Sequence, residues 1–214
     1  SVAVEDRKQI NNCLKKFWRR FKAEKWVTAK HKETHELIAK NELDDVVKKL
    51  IDAKNITIDA VTGTSGAGKT LSEVLHFSNM ENNYIPYRAL DHQHVTEVKK
   101  VVSDIGNPIE SLHFVPHLIP ATRGIMSTIH ITLSEKTPAD KLINIFKEYY
   151  ARAPFVRIID NLPTIKNVRG SNYCDISVKI DQTGKHAVIF SAIDNLLKGQ
   201  SGNALQCMNI MFGL

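Results

Sequence analysis

The amino-acid sequence predicts an α/β fold of the α+β kind, in which antiparallel strands dominate the part of the chain after residue 111. Two patterns indicate this fold class. Several stretches place apolar residues at three- and four-residue steps, which is typical of amphipathic helices. Along 125–133, and again along 176–180 and 187–193, apolar and polar residues alternate as they do in strands with two different faces. The last two stretches flank a Gln182–Gly184 turn, so we expect an antiparallel hairpin there.

The composition indicates a globular protein of a reducing compartment. Of 214 residues 43% are hydrophobic, which is ample for a core. No apolar run approaches the roughly 20 residues that a bilayer span needs, and the N-terminus lacks the apolar core of a signal peptide. The three cysteines, Cys13, Cys174 and Cys207, are widely spaced without a CxxC pair, so we expect no zinc or redox motif. A cytoplasmic protein without a metal site is therefore expected.

Basic charge is concentrated at the start of the chain. The net charge is +6, yet residues 1–32 contain ten Lys or Arg against three Asp or Glu, so the remaining residues sum to −1. The stretch Arg7–Trp26 has helical periodicity with basic residues between its apolar positions. Its basic face could contact nucleic acid or an acidic membrane, but a packed helix with a solvated face is the favoured interpretation. We expect neither a nucleic-acid nor a membrane partner.

Periodicity and capping patterns predict the elements of the first half. A second helix is expected from about Glu33 to Ala53, a strand from Ile56 to Val61, and a short helix around Val74. Asp91 can begin the next helix, which ends at Gly106.

Helices and strands are also predicted in the second half. Thr137 and Pro138 are typical of the N-cap and first turn of a helix that reaches Tyr149. A strand is expected at Phe155–Asp160, and Ser201 can cap a C-terminal helix.

A glycine-rich turn follows the first predicted strand. Gly63–Thr70 fits the GxxxxGK(S/T) pattern of a P-loop, and Asp160 could orient magnesium, so a P-loop nucleotide hydrolase or kinase is one hypothesis. Against it, P-loop proteins alternate strand and helix to build a parallel sheet, whereas the segment after residue 111 is mainly alternating strands. A short pattern with four fixed positions also occurs by chance.

Seven segments carry a resemblance to a known enzyme family. They occur in the family's order and spacing, and they are LIDAKNITIDAVTGTSGAGK, HFS at 76–78, HQHVTEV at 92–98, PHLIPATRGI at 116–125, FVR at 155–157, KNVRGSNYCDI at 166–176 and IDNLLKGQSGNALQCMN at 193–209. Residues 47–214 thereby resemble the C-terminal catalytic and dimerisation portion of the N-acetyl-gamma-glutamyl-phosphate reductases of arginine biosynthesis. Residues 1–46 do not resemble this family, and we treat them as a separate helical basic segment.

The resemblance implies a fold and a reaction. The fold would be a mixed, largely antiparallel sheet with helices on one face, like the C-terminal domain of glyceraldehyde-3-phosphate dehydrogenase. The reaction would be the NADPH-dependent reduction of the acyl phosphate N-acetyl-gamma-glutamyl phosphate to the semialdehyde. In that family a cysteine thiolate attacks the acyl phosphate and a histidine acts as general acid and base. A dimer or other homo-oligomer is implied as well.

The family's histidine motif falls on His92 and His94. The resemblance gives His94 the acid/base role, with Glu97 placed one helical turn later to orient it, and makes His92 a substrate-binding residue. Without the resemblance, both would be interpreted as ordinary histidines at the start of a helix. We also expect the turn Gly63–Lys69 to lie beside His94.

Substrate and cofactor residues are assigned in the same way. Ser65 and Gly66 become a substrate-side turn, and Arg123 and Arg169 are candidates for the substrate's carboxylate and phosphate, because guanidinium groups match both anions. A structural ion pair is the alternative for the arginines. Three residues at the start of the C-terminal helix would approach the nicotinamide of NADP through free amides, with plain helix capping as the alternative, and they are Gly199, Ser201 and Gly202.

Two parts of a full-length member of this family are missing from the sequence. One is the glycine-rich dinucleotide domain, and the other is the Asn-Pro-Gly-Cys turn that carries the nucleophile. Cys13, Cys174 and Cys207 do not occupy the nucleophile's place, so we interpret all three as structural. The chain alone is therefore expected to be inactive.

Overall fold

The computed structural model of the protein describes residues 51–68, 70, 72–105 and 109–212. The predicted basic helix Arg7–Trp26, most of the helix expected at Glu33–Ala53, and Lys69 of the glycine-rich turn lie outside these residues. The described part is organised around one seven-stranded sheet.

The sheet is mixed and largely antiparallel. Its spatial order is β2-β3-β1-β4-β7-β6-β5. The pairs β1–β3 and β5–β6 are parallel, and the other four are antiparallel. The predicted fold class and the predicted hairpin, which is β6–β7, are confirmed. The strands are β1 (Ile51–Gly63), β2 (Ile85–Pro86), β3 (Ser111–Ile119), β4 (Ile125–Leu133), β5 (Val156–Ile158), β6 (Cys174–Ile180) and β7 (His186–Ile193).

Short helical elements connect the strands. Two 3₁₀ turns, Thr64–Ala67 and Glu73–Leu75, follow β1, and a π-helical turn, Leu197–Ser201, follows β7. The α-helices are α1 (Phe77–Met80), α2 (Gln93–Ile105), α3 (Ala139–Tyr149), α4 (Ile165–Val168) and α5 (Gly202–Phe212).

The two long helices that precede β7, α2 and α3, cover the same face of the sheet. Val95 and Val98 of α2 pack against the cluster that contains Ile58 of β1. Leu142 of α3 belongs to the cluster around Ile131 of β4. Ile58 is paired with Ile129, two residues before Ile131, and alternate residues of a strand share a face. Helices on one face, as the resemblance implied, are therefore confirmed.

The strands β1 and β3 differ from the sequence prediction. β1 begins at Ile51, where the second helix was expected to continue to Ala53, because Ile51 and Asp52 pair with β4. Tertiary pairing outweighs helical periodicity there. β3 lies in the part of the chain where strands were expected to dominate, but no strand was predicted at Ser111–Ile119 itself. Its Pro116 is a residue type that is uncommon in the interior of a sheet.

Two predicted caps are wrong. Pro138 takes the N-cap position of α3 without a side-chain bond, and the Thr137 hydroxyl donates instead to the carbonyl of Glu135, 3.1 Å away. The Ser201 hydroxyl donates to the carbonyl of Leu196, 2.7 Å away, because the chain is already helical before Ser201.

Candidate functional site

The end of β1, the loop before β4 and the end of β7 meet at one end of the sheet. Thr62 and Ile193 are both paired with Ile125, the first residue of β4. The N–H of Gly63 donates to the Gly124 carbonyl at 2.9 Å. A Cβ on Gly63 would lie 2.8 Å from backbone atoms of the 121–123 loop, so only glycine allows this close approach.

Ser65 and Gly66, two predicted substrate residues, lie at this end. The Ser65 hydroxyl donates to the Thr122 carbonyl and accepts a bond from Asn195 Nδ2 at 3.0 Å. Asn195 also accepts the N–H of Gly124 through Oδ1 at 2.9 Å. Asn195 therefore joins the turn after β1 to the loop before β4. An open cleft of about 600 Å³ lies beside Ser65 and is lined further along by His76, Asn79 and others.

The carboxylate of Asp194 lies beneath this loop and is completely buried. It accepts the N–H groups of Gly170 at 2.8 Å, Leu196 at 2.8 Å and Leu197 at 3.0 Å, and Nη1 of Arg123 at 3.1 Å. Burial by itself raises the pKa of Asp194, but these donors outweigh it, so the pKa lies below its usual value. Asp194 is therefore an ionised, fully bonded buried carboxylate. We call the group of Ser65, Arg123, Gly124, Gly170, Asp194 and Asn195 the Asp194–Asn195 cluster.

Both predicted substrate arginines border this carboxylate. The Arg123 side chain is 37% exposed and forms an ion pair with Asp194 through Nη1, as the structural alternative expected. No other described residue bonds its guanidinium, so Nε and Nη2 keep their donor capacity. Arg169 is exposed and directly precedes Gly170, whose N–H bonds Asp194. The structure thus brings Arg123 and Arg169 to one locality, and their substrate roles stay predictions.

The start of the C-terminal helix differs from the expectation of free amides. The N–H groups of Gly199 and Ser201 donate at 2.9 Å to the carbonyls of Asp194 and Leu196. Gly202 is tightly packed, since a Cβ there would lie 2.9 Å from the Leu197 backbone. The assignment of Gly199, Ser201 and Gly202 to a nicotinamide site stays a prediction, but it no longer has free amides as its reason.

His92, His94 and Glu97 form a second group at the start of α2, which we call the histidine group. Nε2 of His94 lies 3.7 Å from a carboxylate oxygen of Glu97, and both side chains are exposed, by 49% and 68%. His92 Nδ1 accepts the backbone N–H of His94 at 3.2 Å, and its ring packs 5.3 Å from that of Phe114. Burial lowers the pKa of His92, with His94 and Arg88 contributing in the same direction. His92 therefore favours its neutral form.

The two groups do not touch among the described residues. Phe114, on which both histidine rings pack, is paired with Ile58, five residues before Gly63. At about 3.3 Å per residue this corresponds to about 17 Å of strand. The predicted contact between the Gly63–Lys69 turn and His94 is therefore not seen in this part of the chain.

The geometry around the turn contradicts the P-loop hypothesis. The turn after β1 leads into a 3₁₀ turn, and the first α-helix described after it has only four residues. Asp160 follows β5, which lies four strand positions from β1, or about 19 Å across the sheet. Its carboxylate lies 3.9 Å from Lys147 instead. The phosphate-binding helix start and the acidic partner are thus both missing from the described residues.

Cys174, one of the two described cysteines, lacks the environment of a reactive thiolate. Cys174 and Cys207 are free and partly buried. Burial raises the pKa of Cys174, against a weaker opposing effect of the Ser191 hydroxyl, so its thiol stays protonated at neutral pH. No group of three or more His, Cys, Asp or Glu side chains suited to a metal ion occurs in the described ranges. None of the helices in these ranges could span a bilayer.

Sequence reasoning missed Asp194 and Asn195 as site residues. A signal was present, because Asp194 precedes an apolar helical stretch and is a good N-cap residue. Its side chain indeed accepts the N–H groups of the second and third residues after it. The contacts to Arg123 and Gly170, by contrast, join residues 71 and 24 positions apart, which no local pattern reveals.

Comparison with known proteins identifies the family. A family model described as "Semialdehyde dehydrogenase, dimerisation domain" matches residues 43–195. The chain belongs to this family. One curated relative is the N-acetyl-gamma-glutamyl-phosphate reductase of Staphylococcus aureus strain USA300. It is 46% identical over 169 residues, which cover 78% of this chain and 49% of the relative. The reductase of strain MRSA252 is 45% identical over the same lengths. The chain spans about half the length of the curated relatives it matches.

Solved structures with the same fold are aspartate semialdehyde dehydrogenases. The enzyme II of Vibrio cholerae complexed with ASA superposes with a TM-score of 0.60 at 15% identity, over 76% of this chain and 55% of that one. The enzyme of Francisella tularensis gives 0.57 at 16% identity, over 83% and 62%. At these identities the likeness concerns the fold alone. The predicted family and fold class are both confirmed.

Proposed function

We propose that residues 47–214 are the substrate-binding and dimerisation portion of a cytoplasmic N-acetyl-gamma-glutamyl-phosphate reductase, which reduces the acyl phosphate to the semialdehyde with NADPH. The observation that carries this proposal is the 46% identity over 169 residues with reductases of that name. The family description, a dimerisation domain, supports a homo-oligomer. Residues 1–46 would be a separate segment.

The Asp194–Asn195 cluster would bind the anionic groups of the substrate. Arg123 is paired with a buried carboxylate and its side chain is 37% exposed, and Arg169 is exposed nearby. Guanidinium groups bind carboxylates and phosphates through paired N–H donors. The open cleft beside Ser65, whose hydroxyl bonds the Thr122 carbonyl next to Arg123, would give an acyl chain room.

The histidine group would supply proton transfer. His94 has the more exposed ring and the carboxylate neighbour, Glu97, that could orient it. His92 has Nδ1 occupied as an acceptor and favours the neutral form, so its Nε2–H can donate to a substrate oxygen. For these roles a bound substrate must bring its reacting carbonyl within one hydrogen bond, or one bridging water, of His94.

The described residues do not form a complete NADP site. They include no glycine-rich dinucleotide cradle, and the amides of Gly199 and Ser201 already donate within the helix start. NADP would therefore be bound mainly by the half of the relatives that this chain does not cover, with Gly199, Ser201 and Gly202 at most bordering its nicotinamide.

A chimeric enzyme tests the proposal. Residues 47–214 would replace the matching segment of the Staphylococcus aureus reductase, and NADP reduction would be measured with N-acetylglutamate semialdehyde and phosphate. We expect turnover, with a loss of 10²-fold or more in kcat for His94→Ala, as removal of a general acid or base costs. The same chimera tests the P-loop alternative. Magnesium-ATP should neither bind to it nor change its activity, and Lys69→Ala should therefore have no effect on either measurement. A chimera that folds and binds NADP without turnover would reject the proposed function.

A further inference from the structure

Three segments that are distant in sequence meet at the Asp194 carboxylate. They are the loop before β4 through Arg123, the turn after α4 through Gly170, and the first turn of the C-terminal helix through Leu196 and Leu197. The next residue, Asn195, adds the turn after β1. One side chain therefore fixes the relative positions of most of the polar groups at this end of the sheet.

The bonds to Asp194 orient Arg123 but involve only one of its three guanidinium nitrogens. Only Nη1 contacts the carboxylate, at 3.1 Å to Oδ1 and 3.4 Å to Oδ2. Nε and Nη2 have no partner among the described residues. Asp194 is fully buried while the Arg123 side chain is 37% exposed, so the ion pair joins a buried carboxylate to a side chain that solvent reaches.

The three backbone donors hold the carboxylate itself in place. An Asp carboxylate has about four acceptor positions. Here two N–H groups and Nη1 reach Oδ1, while the third N–H group and Nη1 reach Oδ2. A carboxylate bonded in this way cannot turn without breaking bonds to three backbone amides, so the direction of the ion pair is fixed by the backbone.

We propose that Asp194 is a positioning residue, which fixes the Arg123 guanidinium so that Nε and Nη2 face the anionic group of the substrate. The proposal rests on the proposed function for the identity of the substrate. It also makes the substrate-binding arginine depend on the start of the C-terminal helix, because the same carboxylate accepts the N–H groups of Leu196 and Leu197.

NMR of the 214-residue chain tests the orientation directly. With ¹⁵N-labelled arginine, the bond to Asp194 should slow rotation of the guanidinium, so that Arg123 shows resolved Nη signals at low temperature. Arg123→Lys assigns these signals by removing them. One averaged Nη signal for Arg123 in the wild-type chain would overturn the proposal, without the need for any variant at Asp194.

Anion binding tests the consequence. N-acetylglutamate and, separately, inorganic phosphate would be titrated into the chain while the Arg123 Nε–H signal is followed. We expect at least one of them to shift this signal, and Asp194→Asn to weaken that binding at least tenfold. Asp194→Glu retains the charge and should recover part of the loss. Asp181→Asn, which removes an exposed carboxylate at the far end of β6, is the matched control and should leave binding unchanged. Equal binding by wild type and Asp194→Asn, or no response of Arg123 to either anion, would contradict the proposal.

Kinetics in the chimera separate positioning from a merely structural role. Asp194→Asn should raise KM for the semialdehyde at least tenfold, and the Arg123→Lys, Asp194→Asn double variant should be no worse than Arg123→Lys alone, because the two side chains act as one unit. A fall in kcat at unchanged KM would contradict the proposal. If the unmutated chimera has no turnover, the proposed function fails, whereas the positioning role is still decided by the NMR measurements.

Discussion

The Asp194–Asn195 cluster and the histidine group differ in how the protein holds them. The cluster is assembled from four segments around a fully buried carboxylate, and the side chains of Asp194, Asn195 and Ser65 all form hydrogen bonds in it. The histidine group comes from one short stretch at the start of α2, and its members are held by a 3.7 Å ion pair and by ring contacts with Phe114. The first region is therefore held by more hydrogen bonds between distant segments than the second.

This difference fits the tasks that the proposed function gives to each region. Groups that bind a fixed anion gain from a rigid arrangement, because less freedom is lost on binding. A histidine that passes a proton in both directions has to change its charge, and an exposed position lets water accommodate that change. We therefore expect substitutions in the cluster to affect stability and substitutions in the histidine group to affect mainly chemistry.

Asp194→Asn should produce the largest loss of stability. Removing one partner of a buried ion pair costs about 3–5 kcal/mol. Because Arg123 can turn its exposed side to water, we expect the lower end, about 3 kcal/mol, which for a domain of this size lowers Tm by about 6–12 °C. Urea unfolding and calorimetry measure it. A change in Tm below 2 °C would contradict this prediction, and Glu97→Gln in the histidine group is the matched removal of an exposed carboxylate that should give such a small change.

Gly63→Ala should come next. A Cβ at Gly63 would lie 2.8 Å from the Ala121 carbonyl oxygen and the Arg123 nitrogen, both backbone atoms that cannot move aside singly. Forcing a methyl group into such a space costs about 1–3 kcal/mol. Gly66→Ala is the control, because its nearest neighbour would be Asn195 Nδ2 at an ordinary 3.5 Å. Equal urea midpoints for the two variants would show that the 121–123 loop yields, and that the cluster is softer than its hydrogen bonds suggest.

The same contrast separates what sequence reasoning could find from what it could not. The histidine group was predicted because His92, His94 and Glu97 lie within six residues, where helical spacing alone brings them together. Ser65, Arg123 and Arg169 were assigned by resemblance, and the structure places them near one another only through Asp194 and Asn195. Those two were missed because their partners are up to 130 residues away. The strands β4, β6 and β7 were predicted because apolar and polar residues alternate along them. No strand was predicted at β3, whose sequence contains Pro116.

Lowering the pH should destabilise the Asp194–Asn195 cluster by less than the substitutions at Asp194 and Gly63 do. Asp194 has a pKa below its usual value of 3.8, so its contribution to stability is present above that value and is lost as pH falls through the lower pKa of the folded protein. The urea midpoint of the wild-type chain should therefore decline below about pH 4 more steeply than that of Asp194→Asn. Asp181 titrates in the same direction, so Asp181→Asn is measured in parallel. Identical slopes for wild type and Asp194→Asn would show that folding does not lower the pKa of Asp194, which would contradict this prediction.

The histidine group should give the smallest effect, measured as a shift of titration. The pKa of His92 is lowered from 6.5, first by burial and then by the neighbouring charges of His94 and Arg88, while Glu97 opposes them. In an NMR titration His92 should change charge below 6.5, His94→Gln should raise this pKa, and Glu97→Gln should lower it further. Because the folded protein disfavours the proton, stability should fall slightly as pH drops through the pKa of folded His92. A pKa of 6.5 or more for His92 would mean that its ring is not packed against Phe114 in solution. The histidine group would then have even fewer fixed contacts than the Asp194–Asn195 cluster.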